Sequence, residues 1–66
     1  MNIVLNGEAR CLAGPQTLVD LVESLGLDVR KVAVERNLEI VPRSTFAGIN
    51  LHDGDRIEIV HFIGGG

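Results

Sequence analysis

A chain of 66 residues makes one small domain, and a domain of this size buries only about 60% of the surface its unfolded form exposes. A hydrophobic content of 45% suffices for a single core but leaves no room for an elaborate pocket behind it, so a free-standing enzyme is not expected. The formal charge of −3, with six Lys and Arg scattered along the chain, excludes the basic stripe of a nucleic-acid binder and favours a partner with a basic or apolar docking face.

The single Cys11 has no internal disulfide partner and points to a reducing compartment. Met1 to Asn6 carry no basic side chain and too short an apolar run for a signal peptide or a membrane span. The expectation is a soluble, cytoplasmic protein with no membrane partner.

Ile3, Val4 and Leu5 form a β-rich run that stops at Asn6-Gly7, a strong hairpin signal, and Glu8 to Leu12 is the returning strand. A strict two-residue turn puts Leu5 and Glu8 on one face and mixes core with charge. A glycine bulge instead turns Ile3, Leu5, Ala9 and Cys11 inward and Arg10 outward, and this bulged hairpin is the expectation. Cys11 then reads as a small core hydrophobe and not as a persulfide carrier.

Gly14-Pro15 punctuates the chain and Thr17 opens a helix, with Asp20 completing a capping box and complementing the helix dipole. Leu18, Leu21, Val22 and Leu25 follow the i, i+3, i+4, i+7 spacing of one apolar stripe, while Asp20, Glu23 and Ser24 face water. Gly26 is the left-handed stop. A helix this short is unstable alone and must pack on a sheet.

Val32 to Arg36 is a third strand, turned at Asn37. Glu39-Ile40-Val41 begins a fourth that Pro42 curtails, so it belongs at a sheet edge. Residues 44–48 read as irregular with one helical turn. Asp53-Gly54-Asp55 makes another turn, and its two carboxylates are turn chemistry, not a catalytic pair. Arg56 to Ile63 is the last and longest strand, with Ile57 and Ile59 inward and Arg56 and Glu58 wet. The same alternation sends Val60 and Phe62 to the outer face, where they are candidates for a partner-docking patch. Arg10, Arg36, Arg43 and Arg56 are scattered and read as solvated. His52 and His61 have no carboxylate or thiol cluster at ligand spacing, so no metal site is expected.

The sequence closes on Gly64-Gly65-Gly66. A glycine run is narrow and costs the most entropy to order, which suits threading into a tight channel on another protein. The carboxylate of Gly66, with an unperturbed pKa of roughly 3.5, is ionised at neutral pH. It is therefore a poor electrophile until it is activated, for instance as an acyl-adenylate. A flexible end on an interaction module remains the alternative from a different class. The expected organisation is a folded domain over residues 1–63 and a tail over 64–66.

Taken together, the helix signature, the run Ile40-Val41-Pro42-Arg43, the segment Leu51 to Val60 with its Asp-Gly-Asp turn, and the terminal glycines resemble the ThiS family. These are the sulfur carrier proteins of thiamine biosynthesis, within the ubiquitin-like β-grasp superfamily. The resemblance spans essentially the whole chain. It implies an α+β fold: a mixed sheet of four to five strands with one helix packed across one face.

The resemblance also implies that Gly66 is adenylated and then converted to a thiocarboxylate, with Gly65 and Gly64 forming the narrow tail. ATP and Mg²⁺ are used by a ubiquitin-activating-like enzyme, and the carrier binds no cofactor of its own. The implied partners are that enzyme, a sulfur donor such as a cysteine desulfurase, and thiazole synthase as acceptor. Carriers for molybdopterin or transfer-RNA thiolation, and a lysine-modifying tag, are alternatives that use the same tail. One departure is Phe46, which stands where the pattern has tryptophan and keeps an aromatic packing residue.

Overall fold

The computed structural model describes residues 1–62. Two hairpins frame it. Strands β1 (Asn2–Leu5) and β2 (Glu8–Cys11) form the first, and β3 (Val32–Arg36) and β4 (Glu39–Ile40) form the second. The last strand, β5 (Arg56–His61), inserts between them and gives the order β2-β1-β5-β3-β4. β5 runs parallel to β1 and antiparallel to β3, so the sheet is mixed. Helix α1 (Leu18–Ser24) lies across one face, as expected for the β-grasp arrangement.

The first hairpin differs from the bulged expectation. Its register pairs Leu5 with Glu8 and Val4 with Ala9, leaving Asn6-Gly7 as a strict two-residue turn. Both turn residues have positive φ, 49° and 82°, the mirror-image geometry whose twist matches that of the flanking strands. The objection that core and charge would share a face fails because β2 is an edge strand beyond the helix's reach. All four of its residues are exposed, Ala9 and Cys11 included, so Cys11 is not a core residue. The strand ends at Cys11, and Leu12 is the buried residue there, its N–H donating to Met1 O (2.7 Å).

The helix forms as its sequence dictates. Thr17 Oγ1 accepts from the Asp20 N–H (3.0 Å) and Asp20 Oδ2 accepts from the Thr17 N–H (3.1 Å), so the capping box closes in both directions. Leu18, Leu21 and Val22 are completely buried. At the far end Leu25 is the cap, and Gly26 follows with φ +75°. Gly26 N–H donates to Glu23 O (2.9 Å) and Leu27 N–H to Val22 O (3.2 Å), the paired reverse bonds of a Schellman stop.

The irregular stretch after β4 is a 3₁₀ segment, Arg43–Gly48, which drives Phe46 into the core. A bridge between Thr17 and Asn50 ties the following loop to the helix start, and Leu51 is buried beside it. A second 3₁₀ turn, Val29–Lys31, leads into β3 and was not anticipated. Asp28 caps it and chelates the Arg30 guanidinium; that hydrogen bonding holds the half-buried Asp28 carboxyl down to about 2.

The core is one cluster in which Ile3 and Leu5 of β1, Val32 and Val34 of β3, and Ile57 and Ile59 of β5 meet the helix stripe. Val41 and Phe46 close it at the β4 end. Among the described residues, every buried side-chain nitrogen or oxygen has a hydrogen-bond partner. No helix among them is long and apolar enough to cross a membrane.

Candidate functional site

The strand leading to the glycines is β5, and its two faces differ sharply. Ile57 and Ile59 point into the core, so alternation places Val60 outward. Val60 is 59% exposed and Phe62, one residue past the end of β5, is 49% exposed. The 44–51 loop does not cover them, because its own apolar residues Phe46 and Leu51 turn inward. The strand is shorter than expected, ending at His61. Ile63, Gly64, Gly65 and Gly66 lie outside the described residues, as does the expected domain boundary at residue 63.

Val60 has company on the outer face. It pairs with exposed Ala33 of β3, and Glu35 pairs with both Glu58 and Ile40. Ile40, at 81% exposure, is the most exposed large apolar residue of this face. Ala33, Ile40 and Val60, with Glu35 and Glu58, line a shallow groove of about 200 Å³. Glu35 lies between Ile40 and Glu58, one row along from the Ala33–Val60 pair, so the patch interleaves apolar side chains with two carboxylates. Ile40 was not singled out from the sequence, although a two-residue turn at Asn37-Leu38 fixes the Glu35–Ile40 register that places it there. That turn has φ of 52° and 71°, and a left-handed leucine costs roughly 1–2 kcal/mol.

At the opposite end of β5 stands a polar cluster the sequence did not reveal. Asp55 is 6% exposed. Its carboxylate accepts from Arg36 Nε (3.0 Å), Asn37 Nδ2 (3.1 Å) and the His52 N–H (2.9 Å). Burial pushes the carboxyl up, but the His52 N–H, the Asn37 amide and the Arg36 guanidinium outweigh it and hold it below the ordinary carboxylate value. Asp53 Oδ1 accepts from the Asn2 N–H (2.7 Å), so both aspartates stabilise the turn, as expected, and Asp55 does more. Arg36 is therefore not merely solvated. Arg43 is not either, since its guanidinium donates to backbone carbonyls. Among the described residues, no group of three His, Cys, Asp or Glu side chains is placed to hold a metal ion.

The thiazole synthase of Paramagnetospirillum magneticum contains a region 56% identical to all 66 residues, which make up 20% of that protein. The chain likewise spans a fifth of a second thiazole synthase, from Magnetococcus marinus. The sulfur carrier protein ThiS of Bacillus subtilis is 48% identical over 50 residues, 76% of each chain. The crystal structure of a thiamine biosynthesis protein, ThiS, from Geobacter metallireducens superposes over the full length of both chains with a TM-score of 0.83 at 32% identity. The sequence model of the ThiS family matches residues 3–66, and the chain belongs to that family.

Proposed function

We propose that the chain is a sulfur carrier of thiamine biosynthesis that acts as a protein co-substrate through the carboxylate of Gly66. In this reading a carboxylate oxygen attacks the α-phosphorus of ATP on an activating enzyme that holds Mg²⁺, and pyrophosphate leaves. The terminal sulfur of a donor persulfide, such as that of a cysteine desulfurase, then adds to the acyl carbon and AMP leaves, and a thiol reductant cleaves the resulting acyl disulfide, itself ending as a disulfide with the donor cysteine. The product is a thiocarboxylate whose sulfur passes to thiazole synthase. Holding sulfide as a protein-bound thioacid restricts its delivery to enzymes that recognise the folded body.

The observation that carries this reading is the exposed apolar pair Val60 and Phe62 on the segment that runs on through Ile63 to the glycines. A docking face at that place puts the partner beside the tail it must act on. Its carboxylates, Glu35 and Glu58, favour a partner surface that combines apolar and basic groups. Thiazole synthase as acceptor is supported by the relatives that contain a ThiS-like region within a longer thiazole synthase chain.

Intact-mass measurement tests the reading. Incubation with ATP, Mg²⁺, a sulfide source and the activating enzyme is expected to yield a species heavier by the difference between sulfur and oxygen, localised to Gly66. A variant with one alanine appended after Gly66 is expected to stay unmodified while keeping its fold. Persistence of the plain carboxylate in the unextended protein would reject the carrier reading in favour of an interaction module.

A further inference from the structure

The last described residues hang on one neighbour. β1 pairs with β5 only at Val4–Arg56 and Leu5–Ile57. The Asn6 side chain then prolongs that edge by one rung, its Oδ1 accepting from the Ile59 N–H (2.8 Å) and its Nδ2 donating to Ile59 O (3.3 Å). Beyond Ile59, among the described residues, the backbone pairs only with β3 and the residue before it. Val60 lies opposite Ala33, His61 opposite Val32, and the Phe62 N–H donates to Lys31 O (2.8 Å). Whatever order residues 30–32 possess is the order Phe62 inherits.

The other edge of β3 is completed by a side chain. β4 supplies the pairs Arg36–Glu39 and Glu35–Ile40, and the Val41 N–H then donates to Val34 O (2.9 Å). The next carbonyls on that edge belong to Val32 and Arg30, because alternate residues of a strand point to opposite neighbours. Pro42 has no N–H to offer, and the chain turns away into the 3₁₀ segment. The Arg43 guanidinium takes the vacated place, with Nη2 donating to Val32 O (3.1 Å) and Nη1 to Arg30 O (2.7 Å). Its planar fork suits two parallel acceptors in a way that a lysine ammonium does not. Residues 30–32 are thus clamped between Arg43 on one edge and Phe62 on the other.

We propose that Arg43 is a positioning residue for the carboxyl-terminal segment: by replacing the missing end of β4, it fixes the rung from which Phe62 leaves the sheet. The structural part stands on the hydrogen bonds alone. Its consequence for activation rests on the reading of Gly66 as the adenylated group, and is that Arg43 governs delivery of the tail rather than docking of the body.

Amide hydrogen exchange on Arg43→Ala and Arg43→Lys, read at Phe62 against Val4, tests the structural part. The Val4 N–H donates to Asp55 O at the far end of the sheet and reports general stability. Exchange at Phe62 is expected to quicken about fivefold or more relative to Val4 in Arg43→Ala, with a smaller change in Arg43→Lys. Unchanged or proportionate exchange at the two amides would overturn the proposal. Should Arg43→Ala fail to fold, Arg43→Lys decides by the same ratio.

Pyrophosphate release with the activating enzyme tests the consequence. A fall in kcat of about fivefold with KM nearly unchanged is expected, whereas a rise in KM alone refutes a delivery role. If the unsubstituted protein is not adenylated at all, the Gly66 reading fails and the exchange ratio still judges Arg43.

Discussion

The two ends of β5 occupy opposite surroundings. Where the strand starts, Asp55 is buried, three donors satisfy its carboxylate, and Ile57 is flanked by β1 on one side and β3 on the other. Where it finishes, Val60 and Phe62 are exposed, and β3 with Lys31 supplies the backbone partners. The first end gains stability from enclosure. The second leaves apolar side chains exposed to solvent. A 66-residue domain with little stability to spare concentrates its strongest polar network far from the surface it presents.

The largest effect should come from breaking the enclosed end. Asp55→Ala leaves Arg36, Asn37 and the His52 N–H without their acceptor and is expected to cost about 3 kcal/mol. Urea denaturation followed by circular dichroism measures it, since the chain has neither tryptophan nor tyrosine. A loss below about 1 kcal/mol would show that the cluster is not the anchor described here.

Acid probes the same end more gently. The Asp55 carboxyl is depressed in the folded state, while its unfolded value is about 3.9. The unfolded chain therefore takes up the proton first as pH falls. The Asp55 contribution is complete above roughly pH 5 and drains away as pH drops through the folded value, below the ordinary carboxylate range. Asp28 titrates in the same direction, so the informative quantity is the difference between the unsubstituted protein and Asp55→Ala. That difference should shrink in acid; one that is constant from pH 7 to pH 3 would contradict the assignment.

The smallest effect on stability belongs to the presented end. Val60→Thr keeps a β-branched strand residue and is expected to change stability by less than about 0.5 kcal/mol. The same change should raise KM for the activating enzyme about fivefold, because it puts a hydroxyl within the patch. An unchanged KM would remove Val60 from the docking face. The contrast with Asp55→Ala, large in stability, is what separates the two ends experimentally.

Much of the fold follows from local signals. The Thr17–Asp20 capping box, the Leu18-Leu21-Val22 stripe and Gly26 define a helix by short-range rules, and the helix appears with those caps. Pro42 places β4 at an edge because a missing donor is a property of one residue. Alternation along β5 finds the inward pair Ile57 and Ile59 and the outward Val60. Cys11 shows where such reasoning stops. Its neighbours alternate like a half-buried strand, yet burial depends on whether the helix reaches β2, and it does not. Ile40 likewise becomes part of the patch only through its pairing across β3 to β5.

By itself the sequence determined which segments are strands, which is the helix, where all the turns but Val29–Lys31 fall, and that a glycine run ends the chain given. Those properties are set by the residue and its near neighbours. Tertiary structure alone decided that Asp55 is the buried hub, that Arg36 and Arg43 bond to groups of this chain, and that Ile40 shares a groove with Val60 across β3. The Arg43 bonds follow from the chain folding back along the far edge of β3, and the Asp55 hub and the Ile40–Val60 groove from β5 entering between two hairpins. That insertion brings together residues nearly twenty positions apart, and no periodicity within a single segment records it.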